Sequence, residues 1–282
     1  MTLKDLLKKN KITFFIGIQV LKIHYLIIYY IVFNIKKIGR VTKIYKNSPY
    51  EKLKKIKNKH SGERCFIVAT GPSLTIEDLE KLKNEVTFSM NSICLAFDET
   101  DWRPTYYGIQ DIKVFNSLKD DIEKLVVEGK FISDNLAKKM NVLDDHYVFP
   151  LNLLNHVMKH RKYHSKFSED AFAVVYSGYS ITYSLIQIAV YMGFEEIYLL
   201  GADCNYSSDM NHHFKEYGYV DPSFSLAHDQ MVAAYKVAKQ YTDRNNVKIF
   251  NATRGGMLEV FERVNLDAVI TGDTENYIYE SV

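Results

Sequence analysis

The stretch Phe66-Ile67-Val68-Ala69-Thr70-Gly71-Pro72-Ser73-Leu74 decides how the chain folds. A short apolar strand runs into a Gly-Pro-Ser turn, and Thr75 stands where an N-cap would open a helix carrying Ile76, Leu79 and Leu82. A strand that turns directly into a helix presents unpaired N–H groups and a partial positive charge, which suits a phosphate. Gly71, without a Cβ, would let a ligand approach the backbone, and Pro72 would fix the turn. The stretch lacks the lysine of a Walker P-loop and the three glycines of a dinucleotide fingerprint, so neither site is expected.

Strand and helix signals alternate on both sides of this junction. Strands are expected at Cys65–Ala69, Val86–Met90, Thr105–Ile109, Lys130–Ser133, Tyr147–Phe149, Glu196–Leu200 and Lys248–Phe250. The clearest helices are Ser180–Met192, closed by Gly193, and Ser225–Thr242, where Ala227, Met231, Ala234, Val237 and Ala238 form one apolar stripe. Such alternation predicts an α/β fold, a Rossmann-like parallel sheet with helices on both faces, whose ligands sit outside the carboxyl ends of the strands. Polar or turn residues recur at those ends: Thr70-Gly71, Asn91-Ser92, Gln110-Asp111, Asp203 and Asn251-Ala252-Thr253. Asn91 and Asp111 suit a base or ribose, and Thr70, Gly71 and Ser73 suit phosphate or ribose.

Residues 203–228 are polar and aromatic without periodicity, the character of a lid over a site. Tyr206 is the candidate to stabilise a leaving phosphate. His228, at the start of the long helix that follows, is the candidate general base, since an imidazole can take a proton from a sugar hydroxyl near neutral pH. The adjacent His212-His213 has no supporting third ligand, and no metal site is assigned. Cys65, Cys94 and Cys204 show no metal-ligand spacing and are expected as buried reduced thiols.

The net charge of +2 conceals a division: residues 1–59 hold 15 Lys/Arg against only Asp5 and Glu51, so the remainder of the chain is strongly acidic. Ile12 to Ile35 is almost wholly apolar and aromatic, too greasy for a nucleic-acid arm, and Lys36, Lys37, Arg40, Lys43 and Lys46 follow. Lys22 interrupts the only window long enough to span a bilayer. Residues 1–59 are therefore expected to be a membrane-associating arm and connector. Residues 1–46 would lie on an anionic membrane surface at the cytoplasmic face, peripheral or monotopic, and 60–282 would form the catalytic domain. No alanine precedes Ala69, so the usual cleavage site of a signal peptide is missing.

Over roughly residues 64–265 the chain resembles the bacterial sialyltransferases of glycosyltransferase family 42. It also resembles the related domain of flagellin-glycosylating motility-associated factors and archaeal hydroxymethylpterin diphosphokinases. The resemblance rests on Ile67 to Leu74, Met90-Asn91-Ser92, Gly193 to Asp203 with its Leu200-Gly201-Ala202-Asp203 end, His228 and its helix, and Asn251 with Gly255-Gly256-Met257-Leu258. It implies a GT-A-type domain that binds a CMP-sugar without metal or other cofactor and transfers the sugar with inversion. Thr70, Gly71, Pro72 and Ser73 would line the nucleotide and Asn91 would contact the donor. His228 matches the base, and Tyr206 falls within a residue of one phosphate-holding tyrosine, Tyr217 or Tyr219 supplying the second. Ser177, Gly178 and Ser180 resemble the second nucleotide-binding turn. Thr70 replaces an asparagine of the sialyltransferases.

The expected activity is thus transfer of sialic acid or another nonulosonic acid to a surface glycan or glycolipid. Two alternatives stand beside it: a pterin diphosphokinase using Mg²⁺ through Asp111 and Asp203, and a non-catalytic membrane scaffold of the same fold. Oligomeric state is left open.

Overall fold

The computed structural model describes residues 11–157, 165–205, 214–215 and 224–278. Among these residues ten strands form two sheets: β1 (Arg64–Val68), β2 (Thr87–Met90), β3 (Tyr106–Ile109), β4 (Gly129–Ser133), β5 (His146–Phe149), β6 (Leu151–Asn152), β7 (Val175–Tyr176), β8 (Glu196–Leu200), β9 (Lys248–Asn251) and β10 (Glu262–Arg263). The main sheet has eight strands in the order β10-β9-β8-β1-β2-β3-β4-β5, every pair parallel. The small sheet pairs β6 with β7. All seven expected strands are present within a residue or so of their expected bounds, and the short β6, β7 and β10 are additional.

Parallel strands covered on both faces read as continuous apolar runs, and β1 shows why. Cys65, Ile67 and Ala69 point into one core, which contains the Ile181–Met192 helix, while Phe66 and Val68 point into the other. That helix packs across β1, β2 and β3. Ser180 caps its start through the Thr182 N–H, and Gly193 closes it in the left-handed conformation. The Phe224–Thr242 helix buries Ala234, Tyr235 and Ala238 in the same core.

The arm is helical from Lys11 to Val41: an α-helix to Leu26, a π-helical turn over Ile27–Val32, and a second α-helix over Phe33–Val41. Ile12, Phe15, Ile16, Val20, Ile31 and Ile38 are each more than half exposed. Among the described residues no helix is long and apolar enough to cross a membrane. Arg40 fastens the arm to the domain. It is buried, its Nε donates to the Phe172 carbonyl at 2.8 Å and its Nη2 to the Ala173 carbonyl, and its guanidinium lies over the Tyr50 ring. Leu53 and Ile56 of the connector enter the main core. The three cysteines are buried and none forms a disulfide.

Candidate functional site

Because every strand of the main sheet runs the same way, the residues after β9, β8, β1, β2 and β3 lie along one edge in the order Asn251–Thr253, Gly201–Asp203, Thr70–Gly71, Asn91–Ser92, Gln110–Asp111. At about 4.8 Å per strand this row is roughly 19 Å long. Strand order reverses between β1 and β8, which is where an open α/β sheet forms its crevice.

One wall is a lock between the ends of β1 and β8. Gly71 N–H donates to the Gly201 carbonyl at 2.9 Å, and the Asp203 carboxylate accepts from Ser73 N–H at 3.3 Å and Ser73 Oγ at 2.8 Å. A Cβ on Gly71 would collide with Asp203 Oδ2 and stand 2.5 Å from the Gly201 oxygen. The missing side chain therefore makes room for Asp203, not for a ligand, which corrects the expectation from sequence. Gly201 itself is left-handed (φ 65°), and a Cβ there would meet the Ala69 oxygen at 2.7 Å. Burial pushes the Asp203 carboxyl above its ordinary range, and the two Ser73 hydrogen bonds pull it back.

The helix after the Gly-Pro-Ser turn, Ile76–Lys81, is not open to phosphate either. Thr75 caps it as expected, but a reciprocal capping box places the Asp78 carboxylate on Thr75 N–H (3.0 Å) and Thr75 Oγ1 (2.8 Å). Asp78 is fully buried, and Arg254 binds it with both Nη atoms at 2.7 and 2.5 Å. Arg254 also reaches Thr75 Oγ1 at 3.2 Å, so the loop after β9 is clamped onto the turn after β1.

The Ile181–Met192 helix has no acidic residue in its first turn, so apart from the Ser180 cap its positive end meets no side-chain charge of its own. Thr182 Oγ1 donates to Met90 Sδ at 3.3 Å and Ser184 Oγ to Gln110 Oε1 at 2.8 Å, bringing the Ser177-Gly178-Tyr179-Ser180 turn against the ends of β2 and β3. Gly178 lies against the Tyr183 ring, where a Cβ would collide. Ser180 spends its hydroxyl as the cap. Asn91 is left-handed (φ 47°) and its carbonyl accepts from Tyr107 Oη at 2.8 Å. Neither its side-chain amide nor the Thr70 hydroxyl hydrogen-bonds to a described residue, so both are available to a ligand. Two neighbours are more constrained. Ser92 is wholly buried with an unpartnered Oγ, and Asp111 Oδ1 caps the Ile112–Ser117 helix through the N–H groups of Lys113 (2.6 Å) and Val114 (3.3 Å).

His228 sits in the first turns of the Phe224–Thr242 helix, with Nδ1 2.7 Å from the Cys204 carbonyl oxygen. A carbonyl only accepts, so Nδ1 carries the proton and the neutral ring keeps its lone pair on Nε2. Cys204, one residue beyond Asp203, is left-handed (φ 50°) and aims that carbonyl. Its own thiol is pushed up to about 12 by burial, with Asp203 adding to the effect, and is no nucleophile. Tyr206, Tyr217, Tyr219 and His212-His213, with most of the 203–228 lid, fall outside the described residues.

A family described as 6-hydroxymethylpterin diphosphokinase MptE-like matches residues 37–209, more than half of the chain. The chain belongs to this family. Among solved structures, the motility-associated-factor (MAf) glycosyltransferase from Magnetospirillum magneticum AMB-1 matches with a TM-score of 0.52 at 17% identity, over 75% of this chain. The chain spans about a third (35%) of the length of that protein, and the likeness is one of fold. Comparison with curated proteins gave no match.

The MptE-like segment contains the whole Thr70–Leu74 turn, Asn91, the 177–180 turn and the Gly201–Asp203 end of β8, while His228 lies beyond it. The pair Asp111 and Asp203 does not fit a shared Mg²⁺. β3 and β8 are separated by β1 and β2, roughly 14 Å between strand axes. The carboxylates are also engaged, one as a helix cap and the other on Ser73.

Proposed function

We propose that the chain is a membrane-associated glycosyltransferase that moves a sugar from a CMP-activated donor, sialic acid or another nonulosonic acid, to a surface-glycan or glycolipid acceptor. The observation that carries this reading is the His228–Cys204 hydrogen bond, which leaves Nε2 as a lone-pair base beside the lock between β1 and β8. Thr70 and Asn91 offer unclaimed polar groups for the nucleotide, and the Ile181–Met192 helix offers its positive end to the phosphate. As the acceptor hydroxyl attacks the anomeric carbon, Nε2 takes its proton, the bond to the CMP oxygen breaks, and CMP leaves as its anion. Tyr206 is assigned to the leaving phosphate. No protein-bound metal or cofactor is required by this scheme.

The exposed apolar residues from Ile12 to Ile38 are assigned to the membrane interface, with Lys36 and Lys37 toward anionic lipid. This holds the domain at the cytoplasmic face beside a lipid-linked acceptor and raises its encounter rate. A second reading, diphosphate transfer from ATP to a soluble hydroxymethylpterin, is favoured by the family description. A thermal-shift panel of CMP, CDP, UDP, GDP and ATP, with and without Mg²⁺, separates the two. Selective stabilisation by CMP without metal supports glycosyl transfer, and stabilisation by ATP only with Mg²⁺ supports the kinase.

A further inference from the structure

A cavity of about 250 Å³ lies on the sheet face opposite the Ile181–Met192 helix, over β3, β4 and β5. Its walls are mostly apolar, from Tyr107, Ile109, Ile122, Ile132, Met140 and Leu143, with Glu123 and Asn141 as polar members of the lining. Cavities of around 150 Å³ already admit benzene. This one also contains a lysine. Lys130 is only 3% exposed, yet its ammonium makes no hydrogen bond among the described residues, and its nearest carboxylate, Asp145 Oδ2, stands off at 3.4 Å. Beside it lies the equally buried His146, whose Nδ1 accepts from the Leu143 N–H at 3.0 Å. That bond puts the proton of the neutral ring on Nε2, 3.5 Å from Asp145 Oδ1. Burial lowers the His146 pKa, which keeps the ring neutral.

The cavity thus holds an ammonium and an imidazole N–H that share Asp145 at 3.4 and 3.5 Å, and the ammonium keeps further donors for a second acceptor. The two carboxylates nearby, Asp145 and Glu123, are more exposed and solvated. A buried cation with donors to spare is a costly arrangement unless an acceptor arrives. We propose that this cavity is a second small-molecule site, separate from the crevice, which takes an apolar compound bearing one carboxylate, the carboxylate on Lys130 and His146 and the hydrocarbon against Ile109, Ile122 and Ile132. The site goes beyond the glycosyltransferase reading and does not depend on it.

Benzoate and its neutral isostere benzamide serve as probes, titrated into the full chain by ligand-observed NMR and thermal shift. Benzoate is expected to bind at least tenfold more tightly than benzamide, and Lys130→Met to reduce it to the benzamide level. Ile132→Phe fills the cavity while leaving the Lys130–Asp145 pair intact, and is expected to abolish binding of both probes. It decides the matter if the methionine variant does not fold. Equal affinity for the two probes, no binding at millimolar concentration, or benzoate binding that survives Ile132→Phe overturns the proposal.

Discussion

Asp203 occupies the space that a side chain on Gly71 would need: its Oδ2 takes the Ser73 hydroxyl at 2.8 Å and lies where a Gly71 Cβ would fall. Gly71→Ala therefore overpacks the junction of β1 and β8 and should destabilise the protein by about 1–3 kcal/mol. Urea unfolding measures this. Removing Asp203 as well should recover only part of the loss, because the Gly201 carbonyl also stands 2.5 Å from the added Cβ.

Stability should also depend on the charge of Asp203. Its folded carboxyl binds a proton more readily than the ordinary value of 3.8 allows, because it is buried. Its contribution is then fully present below that value and is lost as pH rises through the folded pKa. Asp203→Asn keeps an acceptor for Ser73 and removes this loss. Unfolding followed from acid to neutral pH should show the variant losing less stability than the wild type as pH rises. A larger loss in the variant would show that the ionised carboxylate is a net stabiliser.

Arg254→Ala leaves the fully buried Asp78 with only its Thr75 partners. A stability loss of roughly 1–3 kcal/mol is expected, moderated because Arg254 itself is 44% exposed and water can enter. Arg254→Lys should not rescue it fully, since a lysine cannot reproduce the two-pronged contact. Thermal unfolding of the two variants checks both statements.

A chain shortened to begin at Lys37 keeps Arg40, whose guanidinium satisfies the Phe172 and Ala173 carbonyls. It should remain folded but lose sedimentation with anionic vesicles. A chain shortened past Arg40 strands those carbonyls and should also lose stability. Vesicle binding by the Lys37 chain equal to that of the full chain would remove the arm as the membrane contact.

The sheet was legible because its seven longer strands are largely apolar stretches of four or five residues punctuated by turns, as at Ile67 to Gly71 and at Leu199 to Gly201, whereas the two-residue β6, β7 and β10 are too short to leave a pattern. Parallel order then carried the polar strand ends to one edge. What each polar residue does there was not legible. Asn, Asp, Ser and Thr are the residues that bind ligands and also the residues that cap helices: Thr75 is the cap its position predicts, whereas Asp111 and Ser180, expected at the ligand, are caps as well. Asp78 and Arg254 escaped notice because their pairing spans 176 positions and has no local pattern. The role of Gly71 is hidden for the same reason: its neighbour in space, Asp203, is 132 residues away in sequence. A clamp on the arm was equally hidden, since Arg40 looks like one more member of the basic run.

If His228, held by Cys204, is the base of a CMP-sugar transferase, its imidazole is needed for turnover and not for CMP binding. The most direct measurement is transfer from CMP-sialic acid by His228→Ala beside the wild type, with CMP binding followed on the same samples. The variant should bind CMP as the wild type does while transfer falls roughly 10²–10⁴-fold. Transfer at the wild-type rate by the variant, or a wild type that ignores CMP and transfers diphosphate from ATP with Mg²⁺, contradicts that role for His228.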